Sequence, residues 1–350
     1  MTYQSDPGTP NGDREPPAGA ALDDAGVGAA GHGEMELVVA RVTKATAEVV
    51  VLELARRDGL ALPEWTPGAH IDLVLPSGKV RQYSLCGDTA DRRHYRVAVL
   101  REPAGRGGSD EIHRIACTDL AITVRGPRNH FELVDAPRYV FVAGGIGVTP
   151  ILTMIGRAER SGAPWRLVYG GRSRATMAFL DEIAGRTGGE VVLMPQDEAG
   201  MPDIDGLFAG LAPDAVVYGC GPGGMLKALE QAAAHSGRGD ALHIERFAPD
   251  EDAPKAAGEE GDTAFEVELR RSGVVLQVPA DRSLGRVLQD NDVPVPFSCE
   301  EGYCGSCETR VLEGVPDHRD TILNEEERAA GNIMMVCCGR SRTPRLVLDL

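Results

Sequence analysis

The chain has 350 residues, room for two or three domains, and the composition of an ordinary globular protein. A formal charge of −17 argues against nucleic acid or an anionic membrane surface as partner. No apolar run is long enough to span a bilayer, and the first residues lack the basic start and apolar core of a signal peptide, so a cytoplasmic location is expected.

Residues 1–34 are rich in Gly, Ala, Pro and Asp and nearly devoid of large apolar side chains. Such a segment cannot offset the entropy of ordering, and a disordered tail is expected there. From residue 35 the pattern becomes one of short β segments at 37–42, 47–54, 71–75, 95–100 and 121–124, separated by Gly, Pro and Asp. This spacing suggests an antiparallel β-barrel over 35–136. Within it, Arg81-Gln82-Tyr83-Ser84 and the later Gly107-Gly108-Ser109 fit a flavin site. A flavin needs an aromatic face, a donor near N5, and cationic and backbone N–H groups at its phosphate. Tyr83, Ser84, Arg81 and the glycine loop could supply these in turn, although Arg81-Gln82-Tyr83-Ser84 taken alone is equally a strand with a surface arginine.

After Pro137 the sequence alternates in the manner of an α/β domain with a parallel sheet, expected over 137–248. Strands are expected at 139–143, 166–169, 191–193 and 215–218, and helices at 176–184 and 223–234. Gly144, Gly145 and Gly147 follow the first strand and lead through Thr149 and Pro150 into a helical stretch, where backbone N–H groups could meet a pyrophosphate. The spacing is not that of the Rossmann fingerprint. A second strand end, Gly219-Cys220-Gly221-Pro222, lies where open α/β sheets bind ligands, which favours contact of Cys220 with a nicotinamide, with packing as the alternative. Arg172 and Arg174 could hold the adenosine ribose or simply be solvated.

An acidic, Pro- and Gly-bearing stretch at 249–263 reads as a linker. The last segment, 264–350, opens and closes on strand-like runs at 265–269 and 345–348. Between them Cys299, Cys304 and Cys307 are spaced C-x4-C-x2-C, and Cys337 follows after 29 intervening residues. That is the plant-type ferredoxin spacing for a 2Fe–2S cluster. Gly302 and Gly305 would let the loop wrap closely. A structural zinc site is the competing reading, but zinc sites usually pair C-x2-C motifs. Cys86, Cys117 and Cys338 read as packing. No general acid–base triad stands out.

These motifs, in this order over residues 36–350, resemble the phthalate dioxygenase reductase family, which includes the reductase subunit of vanillate O-demethylase. The resemblance implies a multidomain chain: an antiparallel barrel binding FMN rather than FAD, an α/β domain binding NADH, and an α+β ferredoxin domain of β-grasp type. It places Arg81, Tyr83, Ser84 and the Gly107–Ser109 loop at the flavin, and Gly144, Gly145, Thr149, Arg172 and Cys220 at the nicotinamide nucleotide. Phe247 resembles the aromatic residue set against the flavin, with Ser84 and Cys220 beside the reacting atoms. Cys299, Cys304, Cys307 and Cys337 match the four cluster ligands. The implied activity is electron transfer from NADH through flavin and cluster to a Rieske-type terminal oxygenase or other monooxygenase, by a monomer. A haem-thiolate partner and a redox-sensing regulator are the alternatives.

Overall fold

The computed structural model describes residues 34–103, 105–248, 257–258 and 260–350. The tail expected at 1–34 lies outside the described residues except for Glu34, which already pairs with Arg125 across two strands.

The first sheet comprises β1 (Glu34–Lys44), β2 (Val49–Ala55), β3 (His70–Val74), β4 (Val80–Ser84), β5 (His94–Leu100) and β6 (Ala121–Arg128), with α1 (Gly108–Ile115) before β6. The strand order is β4-β3-β6-β1-β2-β5 and every pairing is antiparallel. A bridge between Leu85 and Val97 brings the two outer strands together, so the sheet turns back on itself. Leu37, Leu52, Ile71, Leu73, Val97 and Val124 fill the interior. Each such side chain withdrawn from water contributes about 1.5–3 kcal/mol. Ala47 and Glu48, expected within a strand, instead form the β1–β2 turn, where the Glu48 N–H donates to Thr46 Oγ1 at 3.2 Å.

The second sheet is parallel, in the order β11-β10-β7-β8-β9. Its strands are β7 (Arg138–Gly144), β8 (Trp165–Gly171), β9 (Gly189–Pro195), β10 (Ala215–Cys220) and β11 (Leu242–Glu245). Its helices are α2 (Val148–Ser161), α3 (Leu180–Ala184), α4 (Gln196–Ala199), α5 (Ile204–Ala209) and α6 (Gly223–His235). Period-two alternation sends Phe141, Leu167 and Tyr169 toward α2, and Val142 and Val217 toward α5 and α6. Both faces are therefore covered, which explains the continuous apolar run in β7. β11 adds to the strands expected from sequence.

The helix expected over 176–184 is much shorter. A 3-10 turn at Arg174–Thr176 is held by reciprocal Ser173 and Thr176 bonds, and the chain then breaks at Phe179, whose φ is 63°. Met177 and Phe179 are buried instead, the first against Gly171, the second beneath the Arg96 guanidinium 4.9 Å from its ring centroid. Tertiary burial outweighs helix propensity here.

The third sheet runs β13-β12-β18-β14-β16, with a separate ribbon β15-β17. Its elements are β12 (Phe265–Leu269), β13 (Val274–Val278), α7 (Leu284–Asp290), β14 (Glu308–Glu313), β15 (Pro316–Asp317), α8 (Glu325–Ala330), β16 (Ile333–Met335), β17 (Arg340–Ser341) and β18 (Arg345–Leu348). The buried Arg340 ties the approach to this sheet, donating to the carbonyls of Thr263 (3.0 Å), Pro279 (3.1 Å) and Arg282 (2.6 Å). Of the expected linker, residues 249–256 and 259 lie outside the described residues, while Asp262 is held by Arg319.

Candidate functional site

The first two sheets and loops of the C-terminal segment, the cysteine loop among them, line one cleft of about 870 Å³, a size ordinary for a cofactor site. One wall is β4. Arg81 folds back so that its guanidinium donates to the carbonyls of Val80 (2.7 Å) and Arg106 (3.2 Å). A Cβ on Gly108 would lie 2.5 Å from Arg81 Nε, so only glycine lets the arginine and the start of α1 come this close. Gly107, with φ 77°, turns the chain into α1, whose first N–H groups have no side-chain cap. Arg81 and these N–H groups form a cradle suited to a phosphate. Ser109 lines the cleft, with its Oγ accepting from the Glu102 N–H at 3.0 Å. Tyr83 presents its ring to the cleft, and burial raises its phenol far above the ordinary range.

Opposite stands the carboxyl edge of the parallel sheet. Gly144 and Gly147 pack directly on the second glycine element: a Cβ on Gly147 would meet the Cys220 carbonyl oxygen at 2.2 Å, and one on Gly144 would meet Pro222 Cδ at 2.5 Å. Of the glycines expected at a nucleotide, Gly145 (φ 54°) faces open space, whereas Gly144 is absorbed in packing. Thr149 lines the cleft, its Oγ1 donating to the Ile146 carbonyl at 3.0 Å. Cys220 is fully buried at the end of β10, and its thiol is pushed well up, first by burial and then by Glu245. Phe247 lines the cleft, partly exposed, just after Arg246, which Glu230 holds at 2.7 Å.

Arg172 stands apart from the cleft and pairs with Glu48 at 3.0 Å, while Arg174 pairs with Glu198 at 2.9 Å.

Glu245 is a residue sequence reasoning missed. The Ser84 hydroxyl donates to its Oε2 at 3.4 Å, and burial pushes its carboxyl up to about 8, with the Ser84 bond pulling the other way. The only sequence signal is its place two residues before Phe247 at a strand end.

The third wall is the cysteine loop. Cys299, Cys304, Cys307 and Cys337 are all buried, and Cys304 Sγ donates to Ser306 Oγ at 3.4 Å. The Glu301 N–H points at Cys299 Sγ from 3.4 Å. Gly302 and Gly305 both take positive φ, 76° and 75°. A Cβ at Gly302 would lie 2.5 Å from Cys338 Sγ, so Cys338 occupies the back of the loop as packing. Among the described residues no three His, Cys, Asp or Glu side chains gather as around a single ion. A dinuclear cluster does not require that, because it divides four thiolates between two irons. Three buried sulfurs in a wrapped loop, a fourth from Cys337 and an inward N–H fit such a cluster.

Residues 267–342 match the family described as 2Fe-2S iron-sulfur cluster binding domain. The phenoxybenzoate dioxygenase subunit beta of Ectopseudomonas oleovorans is 46 % identical over 303 residues, 85 % of this chain and 91 % of that protein. The solved structure of phthalate dioxygenase reductase, described as a modular structure for electron transfer from pyridine nucleotides to 2Fe–2S, is 35 % identical with a TM-score of 0.65, covering 91 % of this chain and 98 % of its own. An intact type IV self-sufficient cytochrome P450 monooxygenase is 40 % identical with a TM-score of 0.82, over 91 % of this chain and 41 % of that longer one. A cleft shared by the Arg81 cradle, the carboxyl edge of the parallel sheet and the cysteine loop, with these similarities along nearly the whole chain, identifies it as a member of the phthalate dioxygenase reductase family, electron-transfer oxidoreductases built on flavin, pyridine nucleotide and 2Fe–2S.

Proposed function

We propose that the chain is the NADH-dependent reductase component of a Rieske-type oxygenase, taking hydride from NADH at FMN and passing single electrons through the cluster. The observation that carries this reading is the shared cleft: Tyr83 and Ser84 line one side of it, Cys299, Tyr303 and Cys304 another, and Thr149, Glu245 and Phe247 a third. A flavin bound there takes up a two-electron hydride and releases electrons singly, and the protein's part is to position and tune it.

In this reading Arg81, Gly107, Gly108 and Ser109 hold the flavin phosphate, and Tyr83 covers the ring. Ser84 donates near the ring nitrogen that receives hydride. Gly145, Thr149 and Cys220 would border the nicotinamide, and Phe247, which lines the cleft, would stand against the flavin. Cys299, Cys304, Cys307 and Cys337 ligate the cluster. FMN is favoured over FAD because the cysteine-bearing segment comes last in the chain; beside the phosphate cradle, Arg106 donates to the Cys299 carbonyl at 2.9 Å and pairs with Glu301 at 3.2 Å. The closed antiparallel sheet would be the flavin barrel (35–136), the parallel sheet the nucleotide domain (137–248), and the third sheet a β-grasp ferredoxin domain (264–350) behind a linker at 249–263. We also propose a cytoplasmic monomer. Among the described residues no helix is long and apolar enough to cross a membrane.

Anaerobic mixing with NADH tests the reading: flavin absorbance should bleach first and cluster absorbance next, and a Rieske oxygenase added afterwards should reoxidise the cluster. Heat-released flavin should be FMN, and stoichiometric FAD would refute that part. The higher TM-score to the P450 fusion, 0.82 against 0.65, favours a second reading in which the acceptor is a haem-thiolate monooxygenase. Reoxidation by that acceptor and not by a Rieske protein would decide for it.

A further inference from the structure

Where the cysteine loop meets the first sheet, a buried ion pair is shared between the two. Asp72 on β3 is 1 % exposed, and its Oδ2 accepts from Arg128 at the end of β6, whose side chain is 10 % exposed. Each partner also reaches across to the loop. Ser298 Oγ donates to Asp72 Oδ1 at 3.0 Å, and Arg128 Nη2 donates to Ser306 Oγ at 3.1 Å. Ser298 directly precedes Cys299 and Ser306 directly precedes Cys307, so the pair grips the loop beside its first and last cysteines. Between these grips the His130 ring lies 3.3 Å beneath the Cβ position of Gly305 and stacks on His70, with centroids 5.6 Å apart.

A buried ion pair is weak evidence for stability, because desolvation consumes much of the Coulombic gain. Arg128 Nε is buried without a hydrogen-bond partner, so the guanidinium is oriented by Asp72 and Ser306 at the expense of a third bond. Such an arrangement fixes geometry between modules rather than adding net stability. Resting on the cofactor assignment above, we propose that Asp72 and Arg128 are positioning residues that hold the cluster loop at electron-transfer distance from the flavin. The step they serve is balanced: one electron leaves reduced flavin and one ferric iron of the cluster becomes ferrous.

The test is Arg128→Gln in the holoprotein. Amide hydrogen exchange over residues 298–306 should accelerate about tenfold, and anaerobic cluster reduction should slow by about tenfold or more, as expected when a reacting pair is displaced by an ångström or so. Flavin bleaching by NADH should stay within about twofold of wild type, since the nucleotide side is untouched. The cluster midpoint potential should not move. Native exchange together with native cluster reduction overturns the proposal, and so does a slowing that is explained by a shifted potential. If Arg128→Gln does not fold, the Ser298→Ala/Ser306→Ala double variant keeps the ion pair and is judged by the same exchange criterion. Absence of cluster absorbance in the wild-type protein would sink the cofactor assignment instead, and the exchange result would still report on docking.

Discussion

Ser84 Oγ donates to Glu245 Oε2 at 3.4 Å, joining β4 of the first sheet to the last strand of the second across 161 residues of sequence. Ser84 is buried and the Glu245 carboxyl is raised to about 8 by burial, so at neutral pH this carboxyl is largely protonated. A neutral acid hydrogen-bonded to a serine at the cleft wall can hold or release a proton where the nicotinamide and flavin would meet. Replacing Ser84 with Ala should slow flavin reduction by NADH about tenfold, the worth of one hydrogen bond in a buried site, while flavin remains bound. Stopped-flow bleaching under anaerobic conditions measures it, and an unchanged rate would remove Ser84 from the reaction.

The same carboxyl predicts a pH dependence of stability. An acid whose folded pKa lies above its ordinary value stabilises the fold while protonated. Its contribution is complete below about 4.5 and is lost as pH rises through about 8. The melting temperature of the wild-type chain should therefore fall across that window more steeply than that of Glu245→Gln. Parallel curves for the two proteins would show that Glu245 titrates like an exposed glutamate.

The close approach of the two glycine elements gives a pair of contrasting substitutions. Gly147→Ala forces a Cβ to within 2.2 Å of the Cys220 carbonyl oxygen, and backbone cannot yield as a flexible side chain would. We expect at least about 1–3 kcal/mol of destabilisation from the overpacking, with weakened nucleotide binding. Gly145→Ala meets no neighbouring atom and bears only the strain of its φ of 54°, roughly 1–2 kcal/mol. Denaturant melts of the two variants compare these costs directly. Equal loss with intact NADH binding in Gly147→Ala would contradict the packing argument.

Legibility in the sequence followed locality. The four cysteines stood out because three of them lie within nine residues at the spacing expected of a 2Fe–2S loop. The strand bearing Arg81, Tyr83 and Ser84 and the glycine turns were readable for the same reason. Glu245 was not, since a lone glutamate acquires meaning only when β11 places it against Ser84. Asp72 fell within an expected strand and nothing local singled out Arg128, and their contacts with Ser298 and Ser306 span 226 and 178 residues. Local propensity misplaced the helix at 176–184 because the burial of Met177 and Phe179 is a tertiary fact. The order of the motifs along the chain was legible, and the long-range contacts of Ser84 with Glu245 and of Asp72 and Arg128 with the cysteine loop were not.

Nucleotide preference rests on charges that already have partners. Arg172 and Arg174 follow β8, where a 2′-phosphate would be sought, but Glu48 and Glu198 hold them at 3.0 and 2.9 Å. A phosphate arriving there would have to displace a carboxylate from each arginine, so NADH should be preferred. The Glu48→Gln/Glu198→Gln double variant should raise kcat/KM for NADPH about tenfold and leave that for NADH within about twofold, since exposed pairs are individually weak but the added phosphate carries its full charge. If both ratios stay fixed, the arginines lie too far from the nucleotide to matter.

Substitution of Cys304 by Ser separates the modules chemically. Cys304 is buried in the loop at one of the four positions of the 2Fe–2S spacing, so its loss should leave the cluster one thiolate short and abolish cluster assembly. The flavin wall is built from a different sheet with its own core, and that core does not include the loop. Visible spectra should therefore lose the iron–sulfur bands and keep the flavin bands, with NADH still bleaching the flavin. Ferricyanide, which can accept from flavin directly, should still be reduced, while cytochrome c reduction should fall steeply. Loss of flavin together with the cluster would refute the three-module reading. Unchanged cytochrome c reduction would show that electrons leave by a route other than the cysteine loop.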